Sequence, residues 1–320
     1  MEVMEVDREE DLAMMPNSIP PVCLALRYML PSLPRELARD FLGMPSHDGA
    51  PVMHPRPIDD VAMALLHYRM HGWTVIRSLL GADFLRDLSA HADHLADMAH
   101  AAARHNHHVA RGTGRACLNS FCSPTDDPVY KRLWMSLWQD NLQLRVLLKR
   151  ISKETHCDVD EVALDHICGG DSVRPGATAQ PWHSDWPGAS DACIAVSIIT
   201  HDFPCDAAPM ATISRSAGNL SDSRVFDNNF VPETLLPHAL HVNPPAGTLL
   251  IRDVSCWHRG SANNASVARV LPCIRFITSK GLRHHKYKPM RIMSESDWNS
   301  LPEDCQALTA RLFREDGVDL

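Results

Sequence analysis

The sequence predicts an α+β fold in which N-terminal helices precede a β-sandwich or jelly roll. Helical periodicity dominates residues 58–150, where apolar residues recur three and four positions apart. From residue 161 onward, short apolar segments alternate with turns that contain Gly and Pro, a pattern typical of β-strands. At 320 residues, 45% of them hydrophobic, the chain is long enough to bury the core of one catalytic domain. We therefore expect helices on one side of the sheets.

Three regions are predicted along the chain. Residues 1–57 are rich in Pro and Met and are expected to form an irregular N-terminal extension. Residues 58–290 are expected to form the main domain. Residues 291–320 are expected to form a helical tail, with a helix that starts near Pro302.

Three helices are predicted in the first half of the chain, at residues 58–71, 83–104 and 128–150, with a strand at 73–76. Gly72 is a left-handed stop for the first of them. The residues that recur on one face of each helix are predicted to contact the core: Val61, Leu65 and Tyr68; Phe84, Leu88, Leu95 and Met98; Leu133, Leu137, Leu144 and Leu148.

The second half is predicted to be mostly β-structure. Further strands are expected at residues 116–121, 162–168, 182–186, 192–200, 211–213, 248–253 and 267–278. The segment 216–241 is long, polar and without regular pattern, so it is predicted to be a loop over the mouth of the barrel.

His183 and Asp185 form a candidate metal-binding pair. In a strand, residues two positions apart face the same way, so both side chains can reach one ion. The His-x-Asp spacing also occurs at residues 91–93 and 156–158. The first of these lies in helical periodicity, where the two side chains point apart, and the second lies in a charged turn, so both are predicted to lie at the surface.

A second histidine, His258, ends the apolar segment 247–258. Two histidines and one carboxylate that leave coordination positions open are the ligand set of non-heme Fe(II) oxygenases. Eleven positions later, Arg269 begins another apolar segment, and an arginine that faces the inside of a barrel needs an anion. Its guanidinium group is suited to a carboxylate. Arg275, on the same face of that strand, is the alternative.

These motifs resemble the phytanoyl-CoA dioxygenase family of Fe(II)- and 2-oxoglutarate-dependent oxygenases over roughly residues 60–280. The resemblance implies a double-stranded β-helix (jelly-roll, cupin-like) core with flanking N-terminal helices. It also implies that His183, Asp185 and His258 bind Fe(II), that O2 is consumed, and that Arg269 binds the distal carboxylate of 2-oxoglutarate. The chain departs from the family pattern at residues 214–217 and at Arg259, which affects loop geometry and substrate choice.

Three further residues are candidates for contact with the cosubstrate. Asn119 occupies a position near which the resembled family uses a polar residue, and a turn residue is the alternative interpretation. Ser197 interrupts the apolar segment 193–199, and a buried hydroxyl needs a partner, either the cosubstrate or a neighbouring backbone group. Gln180 is ambiguous in the same way.

Two other groups of polar residues are also predicted to lie outside the core. Residues 111–115 lack the ending of a phosphate-binding loop and are predicted to form a flexible, cationic lip of the active site. The histidines of the second helix and its exit, His91, His94, His100, His105, His107 and His108, are predicted to lie on a solvated face.

The resemblance implies hydroxylation of an unactivated C–H bond in a small organic substrate, with succinate and CO2 as co-products. Asp185 favours hydroxylation over halogenation, because related halogenases replace this carboxylate with Gly or Ala. Two alternatives remain: a cupin-type metal enzyme that does not use 2-oxoglutarate, which would give Arg269 no anion, and a catalytically inactive jelly-roll binding protein, in which a missing ligand would be expected. The sequence does not identify the substrate.

Composition excludes several other classes. The formal net charge of −8 argues against general nucleic-acid binding, which needs a basic face. No apolar segment approaches the length of a membrane span. The ten cysteines without a CxxC pair and the acidic N-terminus lead us to expect a cytoplasmic protein in a reducing compartment. The oligomeric state is not predicted.

Overall fold

A six-stranded antiparallel sheet forms the centre of the fold. The computed structural model describes residues 52–106, 109, 111–154, 161–215, 236, 239–283 and 293–313. Its strands are β1 (Val52–Met53), β2 (Trp73–Arg77), β3 (Arg115–Cys117), β4 (Val162–Val173), β5 (Cys193–Ile199), β6 (Met210–Ile213), β7 (Ala239–Val242), β8 (Thr248–Asp253), β9 (His258–Gly260) and β10 (Arg269–Thr278). Its helices are α1 (Val61–His71), α2 (Ala82–Ala102), α3 (Pro128–Gln139), α4 (Leu142–Glu154), α5 (Ser279–Leu282), α6 (Glu295–Asn299) and α7 (Glu303–Phe313).

The strands form two sheets. The larger has the order β2-β8-β5-β10-β4-β3, and every neighbouring pair in it is antiparallel. The smaller has the order β1-β7-β6-β9 and is antiparallel except for the β1–β7 pair. The predicted combination of helices and sheets is confirmed, and the sheets are largely antiparallel.

Side chains that alternate along the central strands contact two different cores, one on the helix side and one between the two sheets. In β5, Ile194, Val196 and Ile198 belong to the core shared with the helices. Ile199, at an intervening position, belongs to a second core, which also contains Leu250 and residues of the smaller sheet such as Met210. Because successive side chains of a strand point to opposite faces, the larger sheet has helices on one face and the smaller sheet on the other.

The helix layer follows the apolar pattern of the sequence, with one exception. Asp60 caps the start of α1 by accepting from the Met63 amide at 2.8 Å, and Gly72, with φ of 76°, ends the helix as predicted. Along α2, Phe84, Leu88, Ala92, Leu95, Ala96 and Ala99 are buried. Met98 is 43% exposed, so its predicted core contact is wrong: it lies off the face on which the buried residues recur.

The predicted helix at 128–150 is two helices. After α3 the chain is interrupted at Asp140 and Asn141, and α4 begins at Leu142. The Asn141 side chain accepts from the Leu144 amide at 3.0 Å and donates to the Arg77 carbonyl at 3.1 Å. Asparagine competes for backbone hydrogen bonds in this way, which explains why one apolar pattern contains a break.

Several strand predictions need correction. Residues 182–186 form no strand, only an isolated bridge between His183 and His258. The predicted strand at 116–121 ends at Cys117, and β4 extends five residues beyond the predicted end at residue 168. The predicted loop at 216–241 overlaps β7, while residues 216–235 lie outside the described residues.

The two ends of the chain are partly described. Residues 1–51 lie outside the described residues, and Val52 and Met53 pair with β7. The predicted C-terminal helix is confirmed as α7, whose Cys305, Leu308 and Leu312 are buried in the helix-side core. None of the helices in the described part of the chain has the length and apolar character needed to span a bilayer.

Candidate metal centre

The structure brings His183, Asp185 and His258 together. The Nε2 atoms of both histidines lie 3.7 Å from Asp185, one facing Oδ1 and the other Oδ2. The two imidazole centroids are 4.3 Å apart. Within the described ranges, this is the one group of three or more His, Cys, Asp or Glu side chains close enough to share an ion.

Backbone pairing, not a regular strand, positions this group. His183 and His258 exchange two backbone hydrogen bonds of 3.0 Å, and the Asp185 amide donates to the Val254 carbonyl at 3.0 Å. The Ser184 hydroxyl donates to the Ser255 carbonyl at 2.8 Å. The segment that carries His183 and Asp185 is therefore fixed to the chain just before β9, although it forms no ladder of its own.

Both histidines have an Nδ1 atom within 2.9 Å of a carbonyl oxygen two residues earlier, that of Pro181 for His183 and of Cys256 for His258. A carbonyl can only accept, so each Nδ1 carries the proton and each Nε2 has a free lone pair facing Asp185. This is the arrangement that metal-ligating histidines use. Arg252 Nη1 is also 3.0 Å from His258 Nδ1, but with the proton on Nδ1 it has no acceptor there.

The charges of the group suit a cation. Desolvation raises the pKa of Asp185, but His258, Arg252 and His183 lower it more, to about 2. Burial, followed by the neighbouring Arg252, lowers the pKa of His258 to about 3. At neutral pH Asp185 is therefore ionised and His258 is neutral. About a third of the Asp185 side chain is accessible, which leaves the group open to the adjoining cavity.

A cavity of about 210 Å³ joins this group to the other predicted site residues. Asn119, Gln180, Ser197 and Arg269 all line it, together with both histidines and Asp185. Residues that sequence reasoning did not select also line it: Arg252, Asp171, Leu271 and Cys273 among them. Alternation along the predicted strand at 248–253 would have placed Arg252 on the inward face.

Arg269 and Arg275 differ in their partners. Arg269 is 7% exposed, and its Nε has no hydrogen-bond partner in the described structure. Burial lowers the pKa of Arg269 to about 10, although Asp171 opposes the effect. Arg275 instead pairs with buried Asp165, with Nε and Nη2 both 3.0 Å from Oδ2. The two arginines that the sequence left as alternatives therefore have different surroundings.

The other three candidates line the cavity but also have partners within the protein. Asn119 Oδ1 accepts from the Gly170 amide at 3.1 Å, and Gln180 Oε1 accepts from the Gly260 amide at 2.9 Å. Ser197 lies opposite Cys273 of β10, and its side chain counteracts the rise that burial causes in the pKa of that thiol. Gln180 and Asn119 thus stabilise the backbone on opposite sides of the cavity.

The predicted cationic lip is only partly at the surface. Arg111 is exposed beside the cavity and donates to the Cys117 thiol at 3.6 Å. Arg115 is 4% exposed: its Nε donates to the Thr178 carbonyl at 2.7 Å, and Nη2 donates to the Gly260 and Ser261 carbonyls. The prediction of a flexible lip is therefore wrong for Arg115, whose donors are used to hold two loops together.

The departure at residues 214–217 has a structural counterpart. Arg215 forms ion pairs with Asp191, at 2.7 Å, and with fully buried Asp253. The Tyr68 hydroxyl donates to Asp191 at 2.9 Å. Asp253 directly precedes Val254, whose carbonyl accepts from Asp185. This network therefore lies behind the segment that holds the carboxylate of the candidate centre.

The histidine predictions are corrected at two positions. His91 is half-buried, with Nε2 2.7 Å from Asp127, so it links α2 to the start of α3. His100 is 8% exposed, and its Nε2 lies 3.0 Å from the Ser172 hydroxyl. His107, His108 and the segment 156–158 lie outside the described residues.

Comparison with known proteins gives structural neighbours only. No protein-family model matches the chain, and no curated protein matches its sequence. The crystal structure of AviO1 from Streptomyces viridochromogenes Tue57 is similar with 15% identity and a TM-score of 0.45, over 70% of this chain and 97% of that one. The epimerase SnoN, crystallised with Fe3+, alpha ketoglutarate and nogalamycin RO, has 12% identity and a TM-score of 0.47, over 68% and 84%. HygX from Streptomyces hygroscopicus, with nickel and 2-oxoglutarate bound, has 12% identity and a TM-score of 0.45, over 68% and 87%.

Proposed function

We propose that the chain is an Fe(II)- and 2-oxoglutarate-dependent dioxygenase that hydroxylates an unactivated C–H bond of a small organic substrate. The observation that carries this proposal is one cavity that joins the group of His183, Asp185 and His258 to the buried arginine Arg269. Assignment to the phytanoyl-CoA dioxygenase family, a double-stranded β-helix core and a cytoplasmic location belong to the same proposal. The proposal rests on the site and on no property of the structural neighbours.

The side chains fit a divalent transition metal. Two imidazole nitrogens and one carboxylate, with pairs separated by 3.7 Å, can be bridged by an ion with bonds of about 2.1 Å. Three protein ligands with open positions are the set used by Fe(II) oxygenases. When bound, Fe(II) with 2-oxoglutarate and O2 supplies the oxidation of the C–H bond, with succinate and CO2 as co-products.

Residues of the chain orient the proposed metal ligands and determine the charge of the site. The Pro181 and Cys256 carbonyls fix both imidazoles with Nε2 directed at Asp185. This removes tautomer and ring rotation as costs of metal binding. Asp185 is ionised over the whole physiological range and contributes one negative charge. The presence of this carboxylate supports hydroxylation over halogenation.

Arg269 is proposed to bind the distal carboxylate of 2-oxoglutarate. Its buried Nε has no partner among the described residues, and an unpaired buried donor is costly unless a ligand supplies the acceptor. A guanidinium group binds a carboxylate through two parallel hydrogen bonds. Arg275 is the weaker candidate because Asp165 already occupies two of its donors. Asn119, Ser197 and Gln180 are proposed as further contacts at the walls of the cavity.

Anaerobic titration of the apo-protein tests the proposal. Addition of Fe(II) followed by 2-oxoglutarate is expected to produce the visible charge-transfer band of a chelated 2-oxo acid. Addition of O2 with a panel of small organic compounds is then expected to release succinate in the presence of the substrate. A protein that gives neither band nor succinate, even from slow uncoupled turnover, would not be an oxygenase of this class.

A further inference from the structure

The cavity is far more positive than the chain around it. The whole protein carries a formal net charge of −8. The residues that line the cavity include six arginines, Arg111, Arg115, Arg252, Arg259, Arg269 and Arg275, and two aspartates, Asp171 and Asp185. Among the described residues, formal positive charges at the cavity outnumber negative ones even when buried Asp165, behind Arg275, is included. A dication and a dianionic cosubstrate cancel each other and would leave that excess unchanged.

The arginines of the central sheet lie at two separate ends of the cavity. On β10, Arg269 and Arg275 are six residues apart, or roughly 20 Å between Cα atoms at about 3.3 Å per residue. Arg269 is aligned across β4 with Val173 and then with Arg115 of β3. One five-carbon diacid bound at Arg269 therefore leaves the Arg275 end of the cavity without an anion.

At that other end, two arginines flank one small residue. Arg275 of β10 and Arg252 of β8 are both paired with Ala195 of β5, one on each side. All three line the cavity, and the methyl group of Ala195 leaves space between the two longer side chains. The side chains of Arg252 and Arg275 are 14% and 15% exposed, so both are largely removed from solvent.

The acids near this end do not satisfy both arginines once a metal is present. Arg252 Nη2 lies 3.6 Å from Asp185 Oδ2, but a metal bound to Asp185 takes up that negative charge and repels the guanidinium group. Arg275 uses Nε and Nη2 on a single oxygen of Asp165, so its third nitrogen, Nη1, is not part of this pair. A charge in a poorly solvated site needs a counter-charge.

We propose that the substrate carries a carboxylate group, bound between Arg252 and Arg275 on the opposite side of the metal centre from Arg269. This inference rests on the proposed function, because it assigns Arg269 to the cosubstrate and the metal to Asp185. The substrate class that follows is a small organic acid with its reacting C–H bond between the metal and the Arg252–Arg275 end. A cationic or neutral substrate would leave the excess positive charge in place.

Binding of matched probes to the inert Mn(II) form tests this without turnover. Benzoate, benzylamine and benzyl alcohol share one ring and differ in charge. Their affinities are measured from the paramagnetic relaxation of ring protons by bound Mn(II), with N-oxalylglycine in place of 2-oxoglutarate. We expect benzoate to bind at least tenfold more tightly than the other two. Equal or tighter binding of benzylamine or benzyl alcohol would overturn the proposal.

Variants identify the residues. Arg252→Gln is expected to weaken benzoate binding at least tenfold and Mn(II) binding by less than threefold, while Arg252→Lys retains most of the benzoate affinity. The double variant Arg275→Gln/Asp165→Asn removes the ion pair without leaving a buried charge. It is expected to weaken benzoate binding as well. Arg86→Gln, at an exposed pair with Asp83, is the control. If Arg252→Gln fails to fold, the double variant decides.

The outcomes separate the two proposals. Unchanged benzoate binding in Arg252→Gln, or equal losses of Mn(II) and benzoate, would overturn the carboxylate subsite, because the residue would then act only on the metal centre. Absence of N-oxalylglycine binding to the wild-type Mn(II) protein would instead count against the proposed function. The probe series is also run with Mn(II) alone on the wild type and on Arg252→Gln, so that the part of the charge preference due to Arg252 is measured in either case.

Discussion

His183 and His258 have the same local geometry although they lie 75 positions apart. Each donates its Nδ1 proton to the carbonyl oxygen two residues earlier, at 2.9 Å in both cases. The ring orientation is therefore set by the backbone before any ligand binds. Such preorganisation lowers the entropic cost of binding, because neither ring has to be ordered by the metal.

Loss of one imidazole is expected to abolish stoichiometric metal binding. His183→Ala removes one of the three proposed protein ligands, while its position, partly exposed and outside any strand, leaves the core unchanged. Fe(II) binding is measured anaerobically by calorimetry and metal content, and folding by circular dichroism. His91→Ala, in the other His-x-Asp triplet of the described residues, is the control and should bind Fe(II) like the wild type. Full-affinity binding by His183→Ala would show that the assignment is wrong.

Removal of Arg269 is expected to weaken binding of the cosubstrate but not binding of the metal. Arg269→Leu deletes one partner of a buried charge pair, which costs on the order of 2–5 kcal/mol, or roughly thirty-fold to several thousand-fold in the dissociation constant. The measurement is the 2-oxoglutarate titration of the Fe(II) protein. Arg275→Gln/Asp165→Asn is the comparison and is expected to change this constant much less. A larger change in this dissociation constant in the double variant than in Arg269→Leu would assign the cosubstrate carboxylate to Arg275.

At the scale of the element, the inward face of the larger sheet carries the chemistry. The side chains of β5, β8 and β10 that face the helices are apolar. Those that face the cavity include polar residues such as Ser197, Arg252 and Arg269. A one-residue register shift would exchange these two sets of side chains. The register of the three strands thus determines both the core and the site.

Gly170 is expected to tolerate no side chain. It lies on β4 with φ of 107°, a Cβ there would collide with the Leu271 carbonyl oxygen, and its amide donates to Asn119. Gly170→Ala is expected to cost at least about 2 kcal/mol in the free energy of unfolding, from strain and overpacking. Gly176→Ala is the control, because its φ is 76° and no atom lies within 4 Å of the added methyl; about 1 kcal/mol is expected there. Chemical denaturation of both variants provides the comparison, and equal losses would contradict it.

The end of α1 is expected to make folding sensitive to acid. Burial, followed by the charge of His67, lowers the pKa of His71 to about 3, below the value of about 6.5 in an unfolded chain. The unfolded state then binds a proton that the folded state does not, so this contribution to stability is complete above pH 6.5 and is lost as the pH falls towards 3. Between pH 7 and pH 4 the loss is expected to be about 2–4 kcal/mol.

The variant His71→Gln isolates this contribution. Its free energy of unfolding is expected to depend less steeply on pH between 7 and 4 than that of the wild type, measured by urea denaturation at each pH. His94→Gln, at an exposed position of α2, should leave the slope unchanged. A His71→Gln slope equal to that of the wild type would place the acid sensitivity elsewhere.

At the scale of the whole molecule, the site lies between the two sheets and not at the helix layer. His258 and Gly260 come from the smaller sheet, whereas Arg252 and Arg269 come from the larger one. A ligand that contacts both sheets binds only the folded state. Binding energy at the site therefore adds directly to the stability of the fold.

Metal and cosubstrate are expected to raise the melting temperature together. At about one hundred times the dissociation constant, each ligand adds about 2.7 kcal/mol, which corresponds to several degrees for a domain of this size. Differential scanning calorimetry with Mn(II) and N-oxalylglycine measures the shift. His183→Ala should show none, and Arg269→Leu should keep the metal shift and lose that of N-oxalylglycine. Equal shifts in all three proteins would indicate binding away from the site.

The sequence by itself determined the helices with clear apolar periodicity, most strands of the larger sheet and some of the residues that line the cavity, among them His183, Asp185 and His258. These features depend on local patterns: the αL stop at Gly72, the period of α2, and alternation along β8. It could not determine the break at Asn141 or the strand β7, because both depend on contacts with distant segments. Asn141 is stabilised by the Arg77 carbonyl, and β7 by pairing with β6.

Only the tertiary structure shows that Arg269 and Arg275 have different surroundings. Both lie on one face of one strand, so periodicity cannot separate them. The irregular register of β4 opposite Ile274 and Phe276 brings Asp165 to Arg275, whereas no other residue in the described part of the chain is a partner for the Nε of buried Arg269. Charge pairing is a property of side chains that meet across strands, and a single sequence contains the residues but not the register that brings them together.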